Sequence, residues 1–109
     1  MNFADLFGKM SQMQENLRQM KEKLNDVTVE AEAGGGMVQV VATAGRQIKR
    51  IKLDPEVLKD PEMAEDMITS AVNKALEKAD AVSREALAEV TNSMLPGGIP
   101  GFDPSKLGL

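Results

Sequence analysis

The sequence predicts an α+β subunit in which two long helices flank a three-stranded antiparallel sheet, in the order α-β-β-β-α. Three observations predict it. Near the start, Phe3, Leu6, Met10, Met13, Leu17, Met20 and Leu24 recur with three–four spacing. That spacing is the a/d seam of a helix lying against another helix. Between residues 27 and 53 the apolar period drops to two, and two short turn sequences cut this stretch into three strands. Beyond Pro61 no helix breaker occurs until Pro96, which makes the last element one uninterrupted helix.

Each element has its own local signals. The first helix is expected from Phe3 to about Asn25, with Asn2 as N-cap and Asp5 placed to favour the helix dipole. Gly8 weakens it slightly, by about 1 kcal/mol relative to alanine. Val27, Val29, Ala31 and Ala33 then alternate with Thr28, Glu30 and Glu32, the pattern of a half-buried strand. Gly34, Gly35 and Gly36 suit a hairpin turn with positive φ angles. A valine-rich strand follows from Met37 to about Thr43, and Ala44 and Gly45 form the next turn. A third strand, Gln47 to Leu53, ends at Asp54-Pro55. Asp60 as N-cap and Pro61 at the first helical position open the last helix.

Length makes these helices project. At 1.5 Å per residue, a helix from Pro61 to Met94 is about 50 Å long and the first about 34 Å. A compact domain of this size has a radius of gyration near about 13 Å. Both helices therefore overhang the sheet as an arm. Residues 1–95 are expected to form the folded domain, and 96–109, rich in glycine and proline, a flexible tail.

Composition narrows the chemistry. The 109 residues include no histidine, cysteine, tyrosine or tryptophan. Disulfides, thiolate metal sites and histidine bases are thus excluded, and Phe3, Phe7 and Phe102 are the only aromatics left for base stacking. No nucleophile–base pair can be assembled, so neither an enzyme, a cofactor nor a small-molecule substrate is expected. No run of about 18 apolar residues could span a membrane, and no signal peptide precedes the first helix. The expected location is the cytoplasm. Net charge is −4, but residues 1–60 are balanced and the acidic excess lies in 61–109. Any anion-binding surface must be local.

The order and spacing of several segments resemble the YbaB/EbfC family of bacterial nucleoid-associated, DNA-binding proteins. These are MSQMQENLRQMKEKL in the first helix, GGGMVQVVATAG at the glycine turn, IKRIKLDPEVLKDPEM, AVNKALEKA and the Leu-Pro-Gly-Gly ending. The resemblance covers nearly the whole chain. It implies a homodimer held through the central sheet, with helical arms projecting like tweezers around duplex DNA in the nucleoid. It also implies no enzymatic activity and a modest sequence preference.

Two basic groups are the candidate DNA-binding residues. On the first helix Lys9 and Lys23 fall at g positions and Lys21 at e, with no acidic residue at any e or g position and Arg18 nearby on the outer face. They form either a basic edge for phosphates or partners for Glu77, Asp80, Glu85 and Glu89 of the last helix. Arg46, Lys49, Arg50 and Lys52 form the densest cluster. Here the alternatives are a basic saddle facing DNA and a charged edge strand that resists aggregation. Lys74 and Lys78 share a face of the last helix beside Glu77 and Asp80, which suggests solvated ion pairs. The chief alternative to DNA binding is a coiled-coil scaffold or prefoldin-like holdase, which arms and acidity would also serve.

Overall fold

Asn2 starts the first helix as expected: its Oδ1 accepts a hydrogen bond of 3.0 Å from the backbone N–H of Ala4. The computed structural model describes residues 2–94, apart from the side chains of residues 93 and 94. The tail expected over 96–109 lies outside the described residues. Helix α1 spans Phe3–Leu24, and Lys21 and Lys23 in its last turn suit the negative end of the dipole. Strands β1 (Thr28–Ala33), β2 (Val38–Thr43) and β3 (Ile48–Leu53) follow, then helix α2 (Pro61–Met94). No described helix is long and apolar enough to cross a membrane.

The three strands pair antiparallel in the order β1-β2-β3. The glycine triplet makes the first turn, with φ of 64°, 66° and 92°. Gly34 is required by its backbone, and a side chain there would also have to displace the flexible end of Met67. The φ of Gly34 disfavours any L side chain, and an added Cβ would lie 2.7 Å from Sδ of Met67 on α2. In the second turn the left-handed residue is Arg46, at φ 70°, rather than Gly45. The turn is held by the Arg46 N–H donating to the Thr43 carbonyl at 2.9 Å and the Gln47 N–H donating to Thr43 Oγ1 at 3.1 Å.

Pairing of β2 with β3 contains a bulge. Val41 faces Arg50 while its neighbour Ala42 faces Ile48, so Lys49 is the extra residue. The consequence is visible in the sequence spacing. Ile48 and Ile51 are three apart and would occupy opposite faces of a regular strand. The bulge returns both to the face shared with Val38, Val40 and Ala42.

That face carries the core. Val38, Val40 and Ala42 of β2 and Ala31 and Ala33 of β1 are buried against Ala64, Ala71, Ala75 and Ala79 of α2. The alanine stripe brings the α2 backbone close to the sheet, with Ile68 and Val72 filling its margins. Between β3 and α2, where the sequence shows only the Asp54-Pro55 strand end, residues Pro55–Lys59 form a short 3-10 turn. Asp54 caps it by accepting from the Glu56 N–H at 2.9 Å. Fully buried Val57 then plugs the core beneath α2. Asp60 caps α2 in the same manner, accepting from the Met63 N–H at 3.2 Å.

Close helix–sheet approach makes a stability prediction. Ala75 is fully buried, so Ala75→Leu forces three extra carbons between α2 and the sheet. Urea unfolding should show a loss of about 2–3 kcal/mol. The same change at exposed Ala81 should leave the midpoint nearly unmoved.

The expected overhang is present. The molecule measures 67 × 26 × 16 Å with a radius of gyration of 19.0 Å, well above the compact value of about 13 Å. α2 packs across β1 and β2 and continues past the sheet, where α1 lies against it.

Candidate nucleic-acid interface

On the arm, the two helices meet through the later part of the predicted seam. Leu24 is buried and Leu17 and Met20 are half-buried, whereas Phe3, Leu6, Phe7, Met10 and Met13 are exposed. Lys9, Lys21 and Lys23 flank this seam and are all exposed. A groove between the helices brings Lys23 alongside Glu85 and Glu89.

The ion pairs among the described residues decide which bases are neutralised. They are Arg18 with Glu15 and Glu22, Arg46 with Asp80, and Lys59 with Glu56. None of Lys9, Lys21 and Lys23 is within 4.0 Å of a described carboxylate. The acidic face of α2 therefore takes up Arg46, at 3.2 Å from Asp80, and not the arm lysines. Lysine stems on a helix edge can swing their ammonium groups into solvent, where an anion can meet them.

Arg18 is differently placed. Its guanidinium donates to Glu22 Oε1 at 2.6 Å and to Glu15 Oε2 at 3.0 Å. The hydrogen bond from Arg18 holds the Glu15 carboxyl below the usual glutamate range, and the two glutamates hold Arg18 still more firmly protonated. At neutral pH this arginine already sits between two anions of its own helix.

The basic cluster of the sheet is split by the fold. Arg46 turns back to α2, Lys49 occupies the bulge, and only Arg50 and Lys52 share the sheet face away from α2. The register lines up Glu30, Val41 and Arg50 in one cross-strand row and Glu32, Gln39 and Lys52 in the next. This open face is thus acidic at its β1 edge and basic at its β3 edge. Among the described residues, Lys49, Arg50 and Lys52 have no carboxylate partner within 4.0 Å.

Lys74 and Lys78 depart from the expected ion pairs along α2. The Lys78 ammonium donates to the backbone carbonyl of Glu30 at 2.6 Å, and Lys74 Nζ lies 3.5 Å from the carbonyl of Glu32. The reason is packing: α2 runs beside the edge strand, so these side chains meet an unpaired row of carbonyls before they meet Glu77 or Asp80.

One surface went unnoticed in the sequence. Ile48 and Ile51 lie on the α2 side of the sheet but on a strand that α2 does not cover, and they are 39% and 42% exposed. Leu58 in the adjoining turn is 61% exposed. The signal available was the three-residue Ile–Ile spacing, which only a bulge reconciles with one face.

Comparisons with known proteins agree with the fold. The model of the family described as the YbaB/EbfC DNA-binding family matches residues 1–94. A nucleoid-associated protein of Xanthomonas campestris is 42% identical over 99 residues, covering 90% of this chain and 93% of that protein. One from Acetivibrio thermocellus is 43% identical over 103 residues, covering 93% and 89%. The crystal structure of an uncharacterized Helicobacter pylori protein superposes with a TM-score of 0.74 at 28% identity, covering 81% of this chain and 94% of that one.

Proposed function

This chain belongs to the YbaB/EbfC DNA-binding family, and on that premise we propose that it acts in the nucleoid as a homodimer gripping duplex DNA by its phosphates. The observation that carries the reading is a set of six exposed bases that have no carboxylate partner among the described residues: Lys9, Lys21 and Lys23 on the arm, and Lys49, Arg50 and Lys52 on β3. Phosphate contact and duplex shape supply the affinity, because no tyrosine or tryptophan is present to stack on bases and no base-reading cluster stands out. A modest sequence preference follows.

The dimer is held through the sheet. Ile48, Ile51 and Leu58 form an apolar patch at the uncovered strand, and a second copy related by a two-fold axis covers it with the same patch. Two arms then reach out from one central body, and the basic β3 strands lie near the centre of that body.

Arg18 and Arg46 hold secondary places in this scheme, because each must release a carboxylate before it meets a phosphate. Arg18→Gln should change duplex affinity by less than about twofold. A loss as large as that from an unpaired arm lysine would show that Glu15 and Glu22 do not neutralise it.

A second reading has one observation in its favour. Phe3 and Phe7 are 77% and 63% exposed at the arm's beginning, an apolar tip that would suit a holdase gripping unfolded chains. Fluorescence anisotropy with a labelled duplex and, separately, a labelled unfolded protein separates the two. DNA binding predicts capture of the duplex at low salt and its release by added salt. Capture of the unfolded protein alone, persisting at high salt, would favour the holdase.

A further inference from the structure

The sheet has two edges, and they are treated differently. β3 presents bases and an apolar patch, while β1 has two of its outward carbonyls contacted by lysines of α2. The carbonyls of Glu30 and Glu32 are two residues apart and both point away from β2, as an edge strand's free acceptors do. Lys78 and Lys74 of α2 reach across and occupy these two carbonyls, at 2.6 and 3.5 Å. Without them β1 would offer a six-residue run of extended chain, free of proline, as a template for another strand.

We infer that the β1 edge is a second self-association surface, for β1 of another copy, held closed by Lys74 and Lys78. Antiparallel pairing of two β1 strands about Ala31 is self-complementary: Glu30 of each faces Glu32 of the other, and each pair exchanges two backbone hydrogen bonds. The small Ala31 and Ala33 side chains present no bulk at the junction. Two devices oppose this pairing. The lysines occupy the acceptors it needs, and Glu30 and Glu32 would bring carboxylates directly opposite one another on the open face, where like charges repel. A subunit that joins through β3 thus stops growing at its other edge. Freed of both devices, pairs of subunits would join β1 to β1 into a continuous row of sheets. The inference concerns assembly alone and stands whether or not DNA is the ligand.

Sedimentation velocity over a range of protein concentrations tests it. Lys74→Ala with Lys78→Ala removes the covers, and adding Glu30→Gln with Glu32→Gln removes the repulsion. The fourfold variant should sediment as species that grow with concentration beyond the parent's largest form. Glu32→Pro in place of Glu32→Gln should stop the growth, because the Glu32 N–H points away from β2 and proline removes it from the pairing edge without breaking the ladder to β2. If the alanine pair lowers the melting temperature, Lys74→Met with Lys78→Met keeps the aliphatic stems against the sheet and removes only the donors. A folded fourfold variant that matches the parent's mass at every concentration overturns the inference. So does growth that survives Glu32→Pro.

Discussion

Lys9→Gln, Lys21→Gln and Lys23→Gln made together should abolish most duplex binding while leaving the dimer intact. In two arms the change removes about six phosphate contacts, and each contributes a slope of about −0.9 to log affinity against log salt. Affinity at low salt should fall at least about a hundredfold, and what remains should depend far less on salt. Beyond the helix-dipole preference of Lys21 and Lys23, worth under about 1 kcal/mol each, the fold has no stake in these charges. All three lysines are exposed, and none makes an ion pair with a described residue. Circular dichroism and sedimentation should therefore match the parent. If affinity held while the dimer persisted, the arm would not be where phosphate is met, and the β3 bases would have to carry the whole contact.

Ile51→Asp should give a folded monomer. Ile51 lies on the core-facing side of the sheet yet remains 42% exposed, so a lone subunit loses little from the change. In a two-fold interface the same substitution buries two unpaired carboxylates. The dimer dissociation constant should rise by on the order of a hundredfold or more. DNA binding should weaken with it, since one arm cannot gain from the effective concentration that a second, linked arm supplies. Ile51→Val, smaller but apolar, should keep both properties. Light scattering that finds Ile51→Asp still dimeric would move the interface away from β3.

Much of the fold was legible because its signals are local. The Asn2 and Asp60-Pro61 caps and the glycine triplet each act within a few residues, and the structure places every one as its chemistry requires, whereas the a/d seam is covered only at Leu17, Met20 and Leu24. The overhang followed from helix length alone. The single 3-10 turn at Pro55–Lys59 was missed, although Asp54-Pro55 repeats the cap signature of Asp60-Pro61. One turn is too short to show a period, and so the buried role of Val57 was hidden with it.

The site was legible only in part, for a physical reason. Which bases are free depends on which carboxylates the fold brings within reach. Arg18 could have been judged from i−3 and i+4 spacing to Glu15 and Glu22. Arg46 could not, because Asp80 reaches it from another element. Nor could Lys74 and Lys78, whose partners are backbone carbonyls far away in sequence. The bulge at Lys49 likewise changes which residues share a face, and the three-residue spacing of Ile48 and Ile51 is its one local sign.

Duplex affinity measured against salt concentration bears most directly on the claim that unpaired arm lysines meet phosphate. With three such lysines in each of two arms, log affinity should fall with log salt at a slope of about −5 or steeper. A slope near zero would mean that no counterions leave the DNA on binding, and the phosphate grip would be contradicted.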